Sequence, residues 1–378
     1  MKFLLIYVPN LRFNGYTENW QKYRTIELGK MQRGKSKHRP RDDEKLYGGT
    51  YPFIQTGDIK KANLYIREYE RTYSNYGLSQ SKLWPKGTLC ITIAANIAET
   101  AILGLNACFP DSVIGWISNE KITNNIFIKY YFDFYKTQLK RLSVGGAQEN
   151  LNLEKLENVY FNIPTLSEQN DITNLLTKID ELIDTQSKII NDLKAQKNYI
   201  IHSIFSKLNS KLVLITDIAE IYQPQTISSA NFDESAEFPV FGANGIIGYY
   251  EKYNHENEQI CIACRGASVG TINLSKKKSW ITGNSMVINS DNYDDIIDKK
   301  FLYYQLMFID FNKYISGSGQ PQITRESLKN LKIKVPSLEA QQLISNILNH
   351  IDLKITIELK LLCQYQLQKA FLLKNMFV

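Results

Sequence analysis

The chain has 378 residues, with 43% apolar and 22% charged side chains, an ordinary globular balance at a length that allows two or three domains. Its 20 Gly, 10 Pro and 5 Cys exclude collagen-like and disulfide-scaffold classes, and no apolar run reaches the ~20 residues that a bilayer-crossing helix needs. The net charge of +7 permits a polyanionic partner without requiring one. The odd cysteine count, without a secretion signal, points to a reducing, cytoplasmic compartment.

Residues 1–19 read as an N-terminal tail. The opening residues have a short apolar core but no small-residue cleavage site, so they suit a tail or first strand better than a signal peptide. Next comes Gly29-Lys30-Met31-Gln32-Arg33-Gly34-Lys35-Ser36, which satisfies the phosphate-loop pattern. That chemistry needs an apolar helix opening directly after the loop. Here a charged segment broken by Pro40 follows instead. Lys35, Lys37, Arg39 and Arg41 are better placed to contact nucleic-acid phosphates.

Residues 88–93 and 259–264 are short apolar runs of strand type. Residues 125–142 and 299–315 are aromatic-rich and of helical length. The regions 20–163 and 211–335 are therefore expected to be α+β units. Cys261-Ile262-Ala263-Cys264 is a lone pair that lacks the partners for a four-ligand zinc site. Positions three apart on a strand face opposite sides, so buried, reduced thiols are expected. No hydrolase triad, zinc-protease motif, dinucleotide fingerprint, methyltransferase tetrapeptide or metal-nuclease carboxylate set stands out.

The chain repeats itself. From Gly145/Gly317 to Phe205/Phe377 an ungapped offset of 172 gives 18 identities in 61 positions, against roughly four expected by chance. Weaker matches upstream lay 91–94 on 262–265, 51–54 on 238–241 and 26–29 on 216–219. Each copy ends in a long helix, expected over 164–210 and 336–378. In the first, Ile172, Leu176, Ile179, Leu182, Ile183, Ile189 and Leu193 form a heptad stripe. In the second, Ile344, Ile347, Ile351, Ile355, Leu361 and Leu362 match it. Thr165 with Glu168 fits a capping box, and Ser337 can cap the second helix. Neither stripe can stay exposed, so the two helices are expected to pack as a coiled coil.

The remaining candidates lie on loops that the repeat places in equivalent positions. The stretch with Gly145, Gln148 and Asn150 aligns with the one holding Gly317, Ser318, Gln320 and Gln322. Amides can read adenine edges, Arg and Lys can read guanine, and Gly lets the backbone approach a phosphate. Arg141 and Arg325 flank these loops, Arg265 follows a strand, and Lys276, Lys277 and Lys278 form a basic run. A nucleic-acid partner is the reading these residues support. A nucleotide-binding enzyme using 29–36 and a structural coiled-coil adaptor are the alternatives.

These residues carry a resemblance. Pro9-Asn10-Leu11-Arg12-Phe13 followed by Trp20, then Leu28-Gly29, Gly317-Ser318-Gly319-Gln320-Pro321-Gln322-Ile323 and Pro336-Ser337-Leu338-Glu339-Ala340-Gln341, resemble the landmarks of specificity subunits of type I restriction-modification systems. The likeness covers the whole chain, in two copies, and departs at Glu149, where the family pattern favours Pro. It implies two target recognition domains, each reading half of a bipartite sequence in double-stranded DNA, and two antiparallel helices that set the spacing. It also implies two modification (methyltransferase) subunits and motor-nuclease restriction subunits as partners. The chain itself would hold no cofactor, with S-adenosylmethionine, ATP and Mg belonging to those partners.

Overall fold

The computed structural model describes residues 8–143, 151–266, 268–317 and 321–378. The chain divides into two units, Met1–Lys188 with Lys360–Val378, and Ile189–Leu359. The divisions fall at Lys188 and Lys360, positions equivalent under the repeat.

Unit 1 contains β1 (Gln21–Arg24), β2 (Gly29–Arg33), β3 (Tyr47–Phe53), β4 (Tyr65–Ile66), β5 (Arg71–Tyr73), β6 (Leu89–Thr92), β7 (Thr100–Leu103), β8 (Val113–Ser118) and β9 (Tyr160–Ile163). Its main sheet runs β2-β8-β6-β7-β4, and β1-β9 and β3-β5 form antiparallel pairs. β6, β7 and most of β8 are buried on both faces, which is why they read as unbroken apolar runs. The helix Asn125–Ser143 adds buried Phe127, Ile128, Tyr130, Tyr131 and Phe132 to the core.

Unit 2 contains β10 (Lys211–Leu214), β11 (Glu220–Tyr222), β12 (Phe238–Gly242), β13 (Gly245–Tyr250), β14 (Ile260–Ala263), β15 (Ile272–Leu274), β16 (Trp280–Ile281), β17 (Ser285–Asn289) and β18 (Lys332–Val335). Its sheets are β11-β17-β14-β15, β13-β12-β16 and β10-β18. The order β11-β17-β14-β15 repeats β2-β8-β6-β7, and β10-β18 repeats β1-β9. Two of the faint upstream matches in sequence, 26–29 on 216–219 and 91–94 on 262–265, are equivalences in space. Thr25 N donates to Val159 O as Ile215 N does to Leu331 O, both at 2.9 Å. Leu151 N donates to Ile93 O as Ile323 N does to Cys264 O. The aromatic helix of unit 2 is shorter than its sequence suggested. It spans Lys299–Phe308, breaks at Ile309 and resumes as the 3-10 turn Phe311–Tyr314.

The long helices span Leu166–Lys207 and Leu338–Met376, each passing through both units. Within each unit their segments run antiparallel. In unit 1 the start of the first helix meets the end of the second through Trp20, which bonds Glu168 and packs edge-on against Phe377. Deeper in the same unit, Asp180 pairs with Lys369. In unit 2 Phe205 O accepts from Lys334, just before the second helix, and Lys197 pairs with Asp352. Ile172, Ile179, Ile183 and Leu193 are buried, as is Ile355, while Ile344, Ile351 and Leu362 are half-buried.

Not every residue of the expected stripe lies in the seam. Leu182, Ile189, Ile347 and Leu361 are exposed, because a straight helix drifts relative to a heptad and carries these positions out of the contact. The second helix also exposes Leu343, Leu353, Ile357, Leu367 and Phe371, each more than half accessible. Only half of the Thr165 capping box forms. Glu168 N donates to Thr165 Oγ1 at 3.4 Å, but the Glu168 carboxylate is buried and held by Arg12 at 2.7 Å and by Trp20 Nε1. The start of the described chain is thus tied down, with Leu11 N also bonded to Asn375 O. Ser337 caps its helix through Ala340 N.

Candidate nucleic-acid interface

The 29–36 segment is not a phosphate loop. Gly29–Arg33 is strand β2, paired residue by residue with β8 from Gly29↔Ser118 to Arg33↔Ile114. A Cβ on Gly29 would sit 2.5 Å from the Trp116 ring, and one on Gly34 would sit 2.3 Å from Pro110 O. These glycines serve close packing, and no helix opens behind them. The nucleotide-binding alternative has no site in this geometry.

What the segment does instead is present cations on a fixed edge. Gly34 N bonds Val113 O at 2.8 Å, Lys35 N bonds Phe109 O, and Lys37 N bonds Gln80 O at 3.0 Å. Ser81 Oγ donates to Lys35 O at 2.7 Å. The side chains of Lys35 and Lys37 are exposed. Arg39 donates to Ser36 O and His38 O, while Arg41 forks onto both oxygens of Asp111 at 2.8 and 2.9 Å. Lys82 joins the edge, donating to Gln32 Oε1 at 2.6 Å and lying 3.6 Å over the Trp84 ring. Asp43 accepts from His38, and bonds from Lys45 N and His38 hold its pKa below the usual carboxylate value.

In unit 2 the structure gathers Arg265, Gln322 and Arg325 at one cleft of about 220 Å³, together with Tyr222, Gln223 and Met286. Arg265 and Gln322 form an antiparallel bridge, and Gln322 exchanges 2.9 Å backbone bonds with Ser316. Arg325 opens a short helix capped by Thr324 and Ser327. Gln223, which lines the cleft, donates from Nε2 to Gly283 O. Gly317, with φ of +94°, turns the chain beside this site.

The other candidates are not brought here. Lys276, Lys277 and Lys278 follow β15, whose end pairs beside Gln259, at the start of β14, whereas Arg265 follows that strand's end. Six residues of extended chain put them roughly 20 Å apart. Lys277 and Lys278 share a cleft with Glu237 and Glu256, so their charge is locally offset. Arg141 is exposed at the end of the 125–143 helix. Gly145, Gln148, Asn150, Ser318 and Gln320 lie outside the described residues. Cys261 and Cys264 are buried, free and packed in different clusters, and burial pushes the Cys261 thiol up to about 12. Gln32, Lys82 and Gln223 escaped the sequence reading. Gln223 had a signal available in the upstream match, which sets it opposite Arg33.

A duplicated α+β unit with diverged polar and cationic edges, mounted on a repeated pair of long helices, defines a modular binding protein. Residues 17–195 and 208–364 match the family described as type I restriction modification DNA specificity domain, and the chain belongs to that family. It is 24% identical to the Escherichia coli type I restriction enzyme EcoprrI specificity subunit, over 80% of each chain. It is 23% identical to the MjaVIII specificity subunit of Methanocaldococcus jannaschii, over 93% of this chain and 90% of that one. In fold it is similar to the crystal structure of a type I restriction-modification S subunit from M. genitalium, with a TM-score of 0.67 at 19% identity, covering 98% and 99% of the two chains. A chain solved in work on complex assembly of the type I R-M system gives 0.55 at 15% identity, covering 95% and 97%. Among the described residues no helix is long and apolar enough to cross a membrane.

Proposed function

We propose that this chain is a non-catalytic DNA-reading subunit in which each unit recognises one half of a bipartite sequence and the long helices set the gap between halves. The observation that carries this reading is the duplication itself. The sheet order, the strand pairs and the helix contacts occur twice, while the edges that meet a ligand have diverged: cations on 29–41 in one unit, the Arg265–Gln322–Arg325 cleft in the other. Matching frames with different faces suit two different half-sites. The uncovered apolar face of the second helix, with Leu343, Leu353, Ile357 and Phe371, supports docking of two modification subunits, outside which restriction subunits assemble. Adenine methylation with S-adenosylmethionine, and cleavage driven by ATP with Mg, fall to those partners in the cytoplasm.

Methylome sequencing of a strain carrying this gene with its modification partner, compared with the same strain lacking it, tests the reading. A split adenine-methylated motif is expected. Exchanging 211–335 for the matching part of a relative should alter one half of that motif only, and a change in both halves would refute modular readout.

A further inference from the structure

The two units carry unequal charge on equivalent edges. Unit 1 holds 28 Lys and Arg against 20 Asp and Glu, whereas unit 2 holds 17 against 18. The difference is sharpest where the repeat aligns best in space. From β2 onward, residues 29–41 carry six cations and no acid. Over the equivalent stretch at β11, residues 219–231, there is one acid, Glu220, and no Lys or Arg. The strands correspond, since β2 pairs antiparallel with β8 as β11 does with β17.

Local structure widens the contrast. The unit 1 cations are displayed on backbone pinned along 34–37, so little conformational entropy is lost when they meet a polyanion. Lys30, Arg33, Lys35 and Lys37 make no ion pair among the described residues. Lys82 extends the ribbon beside Gln32. In unit 2 the one dense basic run, Lys276 to Lys278, lies at the far end of β14 from the polar cleft, and its Lys277 and Lys278 share a cleft with Glu237 and Glu256.

We infer that the units divide DNA binding unequally. Unit 1 is the electrostatic anchor, gripping phosphates through 29–41, and unit 2 is a weakly charged reader that depends on base-edge contacts at Gln223, Arg265 and Gln322. The inference rests on the DNA reading proposed above. Phosphate contacts release counterions and steepen the salt dependence of affinity, by about 0.9 in log–log slope for each phosphate neutralised. Base-edge contacts instead discriminate between sequences.

The test uses the full-length chain, a duplex carrying its methylated target, a scrambled duplex and a sodium chloride series. Lys35→Gln with Lys37→Gln should weaken both duplexes alike and flatten the slope by nearly two. Lys276→Gln with Lys277→Gln should leave the slope unchanged, and Arg265→Gln should reduce the preference for target over scrambled DNA. All five positions are exposed, and melting curves verify that each variant is folded. A slope that falls as far in the 276/277 variant as in the 35/37 variant, or that does not move in the latter, overturns the division. Equal wild-type binding to both duplexes sinks the DNA-reading proposal instead, and the slope comparison still stands on either duplex. No binding to either duplex overturns both.

Discussion

His255 sits between Tyr222 and Asn254, its Nε2 2.8 Å from Tyr222 Oη and its Nδ1 2.6 Å from Asn254 Oδ1. A neutral ring satisfies both contacts, with Nδ1–H donating to the amide oxygen and Nε2 accepting from the phenol. Burial lowers its pKa below the usual histidine value, and Asp291 opposes that shift. As pH falls the unfolded chain therefore takes up this proton first. The stability contributed by the neutral ring is complete above about pH 6.5 and is lost as pH drops from there through the lower folded pKa. Thermal melts between about pH 7.5 and 5 should show His255→Gln losing less stability on acidification than wild type, and parallel curves would remove this assignment. Sequence could not reveal such a residue, because Tyr222 and Asp291, which set its environment, lie more than 30 residues away in the chain. The cationic edge was legible, since Lys35, Lys37, Arg39 and Arg41 fall at alternate positions of one short segment. Arg265 and Gln322 lie 57 residues apart in the chain, and only the bridge between them, just beyond β14, brings them together.

At the scale of elements, the seam between the long helices holds a duplicated polar clasp. In unit 1 the buried Asp180 takes Lys369 at 2.7 Å and Tyr130 Oη at 2.8 Å. In unit 2 Asp352 takes Lys197 at 2.6 Å and Tyr304 Oη at 2.8 Å. Both lysines also lie over the tyrosine ring of their own clasp. Asp180 is 1% exposed and Asp352 33%, and Asn63 encloses the first clasp further by accepting from Lys369. Breaking a buried pair from one side strands the other charge and costs about 3–5 kcal/mol. Asp180→Asn should destabilise on that scale in chemical denaturation, and Asp352→Asn by clearly less. Asp180→Leu with Lys369→Met should recover much of the loss, whereas a double variant as unstable as the single would mean that the tyrosine bond matters more than the charge pair. The helices themselves were readable from their heptads and caps. The clasp appeared in the sequence only as polar identities, Asp180/Asp352 and Lys197/Lys369, inside an otherwise apolar stripe.

For the whole molecule, the placement of the clasps makes the spacing hypothesis testable without disturbing either unit. On the first helix Lys188 lies between Asp180 and Lys197, and on the second Lys360 lies between Asp352 and Lys369. Both positions are exposed, and they mark the divisions between the units. Four residues inserted after each would add one helical turn, about 6 Å, with a phase error of roughly 40°. Inserting into one helix alone would force a mismatch against its partner, whereas matched insertions let each clasp keep its own register. If the helices set the gap, the doubly lengthened chain should fold, methylate DNA with its partner subunits, and recognise the same two half-sites separated by an additional base pair or two. Methylome sequencing reads the outcome directly. A stable, active variant whose gap is unchanged would show that the half-site spacing is fixed elsewhere. Loss of one half-site with the other retained would instead mean that the inserted turn disturbs a recognition unit, contrary to the independence that the repeated architecture implies.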